Sequence, residues 1–317
     1  MTLLVGLAVL YRTLRLPRLS LSMIDRLAML PSIFASGLIG AASVLPGCSA
    51  VDVANRLTPK NGMNVQRDLA YGEDPRQRLD LYQPKPIISP EGEPRPIVVF
   101  FYGGSWQSGD KADYLFAAQA FVERGYVVVL PDYRVYPQVV YPAFLEDAAG
   151  AVAWAFEHAD EFNGDTERVF LVGHSAGAYN AAMLAADTSF LEERGVARGE
   201  LAGVVGLAGP YDFLPTESEA LRAIFTERDD PSQTQPVNRV SGGEPAMLLM
   251  HGLADRTVRP QNTTALARVL RAEGSEVEVI RYEGYDHVKI IGSLASVLRA
   301  YRPVMGDIAQ WMRQREE

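Results

Sequence analysis

The chain has 317 residues, 48% of them hydrophobic and 22% charged, with a net charge of −9 at neutral pH. That composition excludes a disordered chain, and the acidic balance argues against a polyanion binder, so no nucleic acid partner is expected. The one cysteine, Cys48, excludes an intrachain disulfide framework and a thiolate metal cluster.

Residues 27–45 carry no charge, follow Arg26 and end in small residues. Pro31, Gly37 and Gly40 make the stretch a poor stop-transfer helix, and it reads as the apolar core of an export signal. Leu45-Pro46-Gly47-Cys48 resembles a bacterial lipobox, with Cys48 as the lipidation candidate. Residues 1–47 are thus a lipoprotein leader, a cleaved secretory signal or a retained anchor, and the apolar first ten residues leave Met23 as an alternative start. All three readings export the body to the periplasm or cell envelope. The membrane is a partner through a lipid anchor or the N-terminal segment. Residues 48–75 are polar and turn-rich, a linker and lead-in to a body over 76–317.

From residue 78 the pattern alternates. Strands are predicted at 78–82, 97–102, 126–130, 168–172, 204–207, 247–250 and 277–282. Helices are predicted at 113–124, 143–162, 176–186, 263–272 and 293–301. Several strands are continuous aliphatic runs, as expected when both faces of a sheet are covered. The class is α/β: a mainly parallel central sheet flanked by helices. Residues 212–243, charged and Pro-rich, break the alternation and read as a small cap-like insertion.

Gly173-His174-Ser175-Ala176-Gly177 joins a predicted strand to an alanine-rich helix. A serine on so sharp a turn needs small neighbours, and the following helix directs N–H groups and partial positive charge at its oxygen. Ser175 is the candidate nucleophile. A hydroxyl needs a base. Among four histidines, His287 follows the last predicted strand, where open α/β sheets carry their sites. His158 reads as a surface residue, His174 as directed away from Ser175, and His251 as a packed, hydrogen-bonded residue at a strand end. The base needs a carboxylate; Asp255 is the first choice, with Asp286 and Asp212 as alternatives. The chain order Ser175, Asp255, His287 is that of α/β-hydrolases.

Acyl transfer also needs N–H donors for the oxyanion. Tyr102-Gly103-Gly104-Ser105-Trp106 follows a predicted strand, and the two glycines allow close backbone approach. The N–H of Ala176 completes the set. Trp106, Tyr179, Tyr211 and Phe213 lie near these loops as candidate walls of a substrate pocket, with core packing as the alternative.

From about residue 70 to 315 the chain resembles α/β-hydrolase esterases of the hormone-sensitive-lipase-like and feruloyl-esterase-like (BD-FAE) branch, which also includes kynurenine formamidases. The matching pieces are 102–106, Pro131-Asp132-Tyr133-Arg134, Tyr141-Pro142-Ala143 with Asp147, 173–177, Gly209-Pro210-Tyr211-Asp212, and Asp255 with His287. The resemblance implies oxyanion donors at Gly103, Gly104 and Ala176, with Ser105 next in line, and scaffold roles for Asp132 and Asp147. The family usually has histidine at the position of Tyr102, where it buttresses the oxyanion loop, and often a third glycine at Ser105. The expected function is a serine carboxylesterase acting on a small-molecule ester of small to medium acyl length. The alternatives are arylformamide hydrolysis on the same residues, or a non-catalytic surface binding protein of the same fold. No cofactor and no metal is expected: HExxH and a glycine-rich phosphate loop are both missing from the sequence. Nothing in the sequence assigns an oligomeric state.

Overall fold

The computed structural model describes residues 50–86, 92–300 and 302–316; the leader, the apolar stretch 27–45 and Cys48 lie outside them. Among the described residues no helix is long and apolar enough to cross a membrane. In the stretch read as linker the chain forms a short helix, α1 (Ala50–Arg56), and an edge strand, β1 (Met63–Ala70). Next come β2 (Arg78–Pro84), β3 (Arg95–Phe101), α2 (Leu115–Val122), β4 (Val127–Pro131), α3 (Ala143–Glu157), β5 (Gly164–His174) and α4 (Ala176–Ala186). They are followed by β6 (Leu201–Leu207), α5 (Glu219–Phe225), β7 (Met247–Gly252), α6 (Gln261–Ala272), β8 (Val277–Tyr282), α7 (His287–Gly292) and α8 (Val304–Arg313).

The strands form one eight-stranded sheet in the order β1-β2-β4-β3-β5-β6-β7-β8. β1–β2 and β2–β4 pair antiparallel, and β4 onward is parallel. Alternation along the strands divides the core. Val98, Phe100, Phe170 and Val172 face α2 and α8, whereas Ile97, Val99, Phe101, Val169 and Leu171 face α3, α4 and α6. The central strands are apolar on both sides because both faces are covered.

The strand order has one reversal that matters. From β3 the chain passes through α2 to β4 on one side, then returns through α3 to β5 on the other. Right-handed crossovers in opposite directions put the two helices on opposite faces of the sheet. The loops after β3 and β5 therefore diverge at their carboxyl ends and leave a crevice, the usual position for a site in an open α/β sheet.

Two expectations need correction at the C-terminus. The helix expected at 293–301 is replaced by α7 and a four-residue turn of helix, Ser296–Arg299. The Asp286 carboxylate accepts from the Val288 and Lys289 N–H groups and so starts α7 on His287. The last helix, α8, was not expected; it buries Met305, Ile308, Trp311 and Met312 along one side.

Candidate active site

β5 ends in the turn that carries Ser175. Its φ is +55°, a conformation that costs a non-glycine residue about 1–3 kcal/mol and persists only where the surroundings enforce it. They do. The Ser175 N–H donates to Leu207 O at 2.9 Å, and its carbonyl accepts from Ala178 and Tyr179. A Cβ on Gly173 would sit 2.2 Å from Gly177 O, and one on Gly177 would sit 2.0 Å from Phe101 O. Both positions require glycine, which explains the spacing read from the sequence.

His287, at the first position of α7, brings Nε2 to 2.9 Å from Ser175 Oγ and Nδ1 to 2.8 Å from Asp255 Oδ2. Asp255 lies in the turn after β7 and is buried. Its Oδ1 accepts the N–H groups of Thr257 and Val258 at 2.9 and 3.0 Å. Burial opposes its charge, but the hydrogen bonds from His251 and His287 and the backbone N–H outweigh it, and the carboxyl is held well below the usual carboxylate range. The alternatives separate cleanly. Asp286 caps α7. Asp212 is exposed and, among the described residues, forms no hydrogen bond or ion pair with His287.

His251 is packed and hydrogen-bonded, and it also reaches Asp255. Fully buried, it places Nε2 2.9 Å from Val258 O and 3.3 Å from Asp255 Oδ2, with Nδ1 2.7 Å from Thr263 Oγ1. A carbonyl only accepts, so Nε2 carries the proton and Nδ1 accepts from the Thr263 hydroxyl. Asp255 Oδ2 thus faces two imidazole N–H groups. The cue in the sequence was the four-residue spacing from His251 to Asp255 across the strand end.

His174, read from the sequence as directed away from Ser175, makes no hydrogen bond to Ser175 Oγ but packs against the base. Its Nε2 lies 3.1 Å from the His287 carbonyl oxygen and donates to it, and its ring centroid is 4.8 Å from that of His287. Its Nδ1 is buried without a partner among the described residues. Burial, and secondarily the neighbouring His287, push its pKa down to about 3. The unfolded chain takes up this proton near pH 6.5 and the folded chain does not. Stability therefore falls as pH drops from about 6.5 toward 3, by about 1 kcal/mol per pH unit from this group. Urea midpoints measured between pH 7 and 4.5 are expected to show that slope, and His174→Gln is expected to flatten it.

The loop after β3 supplies backbone donors, with a shift of one residue from expectation. The Gly103 N–H is spent on the Tyr114 hydroxyl at 3.3 Å. A Cβ at Gly103 would come within 2.9 Å of Ser175 Cβ, so the loop lies directly against the turn that carries Ser175. Gly104 (φ +141°), Ser105 (φ +53°) and Trp106 (φ +57°) bend the backbone sharply, and the Gly104 carbonyl accepts from Gln107 and Ser108. The N–H groups of Gly104, Ser105 and Ala176 meet no acceptor among the described residues. Gly103 thus leaves the set of expected donors and Ser105 enters it.

The aromatic residues form a packed cluster. Trp106 donates from Nε1 to Asn180 Oδ1 at 3.0 Å, stacks on Phe213, and meets Tyr179 and Phe225 edge-on. Phe225 comes from α5, so the segment between β6 and β7 seals this cluster. Trp106 and Tyr179 are interior residues at 2% and 0% exposure, and only Phe213 of the expected pocket residues is half-buried. Tyr211 packs on the opposite face of the sheet, against Gly206 and Gly209. Asp147 takes a bidentate Arg134 and the Gln77 amide. Asp132 takes the Tyr102 hydroxyl and the Lys111 N–H. Both tie loops together. Among the described residues no group of three or more His, Cys, Asp or Glu is arranged to hold a metal ion.

Comparison with known proteins agrees with this geometry. The probable isoprenylcysteine alpha-carbonyl methylesterase ICMEL1 of Arabidopsis thaliana is 30% identical over 249 residues, 71% of this chain and 51% of that protein. Esterase LipC of Mycobacterium tuberculosis is 29% identical over 70% of this chain and 59% of its own. The chain thus spans about half the length of the curated relatives it matches. Among solved structures, a carbohydrate esterase from gut microbiota shares the fold, with a TM-score of 0.71 at 18% identity over 81% of this chain and 98% of that one. The propionate-bound esterase 2 of Thermogutta terrifontis superposes with a TM-score of 0.66 at 25% identity, over 81% and 96% of the two chains. Residues 79–270, more than half of the sequence, match the BD-FAE family. With its eight-stranded α/β-hydrolase sheet and the Ser175 turn at the sheet's switch point, this chain belongs to the BD-FAE family.

Proposed function

We propose that the protein is a serine carboxylesterase that hydrolyses small to medium acyl esters through an acyl-enzyme on Ser175. The observation that carries the reading is the continuous relay from Ser175 Oγ to His287 at 2.9 Å and from His287 to Asp255 at 2.8 Å. It lies beside three backbone N–H groups that meet no acceptor among the described residues. In the first half-reaction Ser175 Oγ bonds to the ester carbonyl carbon while His287 Nε2 takes the hydroxyl proton. The carbonyl oxygen becomes an oxyanion, held by the N–H groups of Gly104, Ser105 and Ala176. The C–O bond to the alcohol then breaks, and His287 returns the proton to the leaving oxygen. Water repeats the sequence on the acyl-enzyme and releases the acid. Asp255 keeps the His287 proton on Nδ1 and stabilises the imidazolium.

The relatives support the ester as substrate, since those reported above are named as esterases or a methylesterase. The propionate found in the Thermogutta protein supports a short acyl group. The uncharged stretch 27–45 and the sequence around Cys48 support an exported enzyme held at the cell envelope. The test is direct. A fluorophosphonate is expected to label the folded protein on Ser175, and a p-nitrophenyl ester series graded by acyl length is expected to peak at short to medium chains. An N-formyl aromatic amide turned over faster than every ester would move the reading to amide hydrolysis. An unlabelled, inactive folded protein would end it.

A further inference from the structure

The oxyanion loop contains an energetic problem. Ser105 and Trp106 are consecutive non-glycine residues at positive φ, a strained arrangement that survives only if neighbours over-determine it. Trp106 is fixed by Asn180 on one side. On the other side stands Tyr102, fully buried.

Tyr102 is the middle ring of a stack of three. Its ring lies 4.8 Å from Tyr133 and 5.7 Å from Tyr114, at interplanar angles of 21° and 26°. The outer rings each hold one backbone group of the loop. The Tyr133 hydroxyl donates to the Tyr102 carbonyl at 2.8 Å, and the Tyr114 hydroxyl accepts the Gly103 N–H at 3.3 Å. The central hydroxyl is itself fixed: it donates to Asp132 Oδ1 at 2.8 Å and accepts from Arg76 Nη2 at 2.9 Å. Arg76 also donates to Tyr133 O at 2.7 Å and Gly109 O at 2.5 Å, so one guanidinium ties both ends of the loop to the stack. Gly109 (φ +119°) lies so close to the Tyr102 ring that a Cβ there would be 2.5 Å from it. Burial pushes the Tyr114 hydroxyl up to about 12 and the other two higher, so all three stay protonated wherever the enzyme works.

We infer that Tyr102, Tyr114 and Tyr133 are positioning residues that set the oxyanion loop. By engaging the Tyr102 carbonyl and the Gly103 N–H, they leave the next two N–H groups, of Gly104 and Ser105, as the ones that face the developing charge. The inference rests on the esterase reading of the site. A donor aimed by this stack matters in the transition state, where the oxygen is charged, and little in the Michaelis complex. Loss of one outer hydroxyl should therefore lower kcat and leave KM in place.

The experiment uses Tyr114→Phe and Tyr133→Phe, which keep the rings and remove one hydroxyl each. Tyr126→Phe is the control; it loses a hydrogen bond to Glu316 at the opposite end of the sheet. Expected are kcat values on a p-nitrophenyl ester lowered about tenfold in each loop variant, with KM within twofold, and the control within twofold in both. A trifluoromethyl ketone, which Ser175 converts to a tetrahedral oxyanion adduct, should lose affinity by the same factor as kcat. Unchanged kcat and unchanged ketone affinity in both variants would overturn the inference, as would a raised KM with constant kcat. Should Tyr133→Phe fail to fold, Tyr114→Phe decides alone, because its ring is only half-buried. Failure of the wild-type protein to turn over ester or bind the ketone would instead count against the esterase reading.

Discussion

Ser175→Ala is expected to lower kcat on a short p-nitrophenyl ester by about a millionfold, the scale seen when a serine nucleophile is removed from such a relay. The reason is local. In the proposed acyl transfer the Oγ is the atom that bonds to the substrate, and among the described residues no other hydroxyl is hydrogen-bonded to His287 Nε2. The fold should not change. The backbone of residue 175 is fixed by its bond to Leu207 O and by the first turn of α4, neither of which uses the side chain. Alanine and serine also meet the same difficulty at φ +55°. The variant should melt within a degree or two of the wild type, bind ester with a similar dissociation constant and take up no fluorophosphonate. Retention of more than one part in a thousand of kcat, after contaminating esterases have been excluded, would assign the nucleophile elsewhere.

Asp255→Asn is the second large effect, expected to cost about ten-thousandfold in kcat. The carboxylate accepts on both oxygens: Oδ1 from two backbone N–H groups, Oδ2 from His287 and His251. An asparagine has one oxygen and one NH2. If its oxygen keeps the Thr257 and Val258 N–H groups, its NH2 replaces Oδ2 and faces His287. His287 must then turn a lone pair toward residue 255 and carry its proton on Nε2, where it cannot accept from Ser175. The NH2 also meets the His251 N–H, a donor against a donor in a buried place, so stability should drop by about 1–3 kcal/mol. Kinetics and urea unfolding of the same preparation check both parts. A loss of stability with kcat intact would show that the carboxylate serves the fold alone.

The sheet and the Ser175–His287–Asp255 arrangement were legible in the sequence because each rests on residue types that physics restricts. Apolar runs of strand length have no other stable place in an α/β protein, and Gly173 and Gly177 face backbone atoms that admit no Cβ. What was not legible depends on directions. β1 is polar and half-exposed, with an irregular register against β2, so it carries no clean alternation. The shift of donors from Gly103 to Ser105 follows from two positive φ angles and from Tyr114, eleven residues away. The enclosure of Trp106 and Tyr179 follows from Phe225 folding back over them. His251 looked like packing because it is packing; its second contact, with Asp255, appears only when the turn after β7 is drawn.

The triple tyrosine stack has a consequence for protein engineering. Replacing Tyr102 by histidine is not a neutral exchange, because an imidazole is shorter than a phenol and would leave Arg76 and Asp132 facing a gap. Residues 76, 102, 114, 132 and 133 make up one interchangeable cassette: a graft of this loop into another hydrolase should carry all five or none.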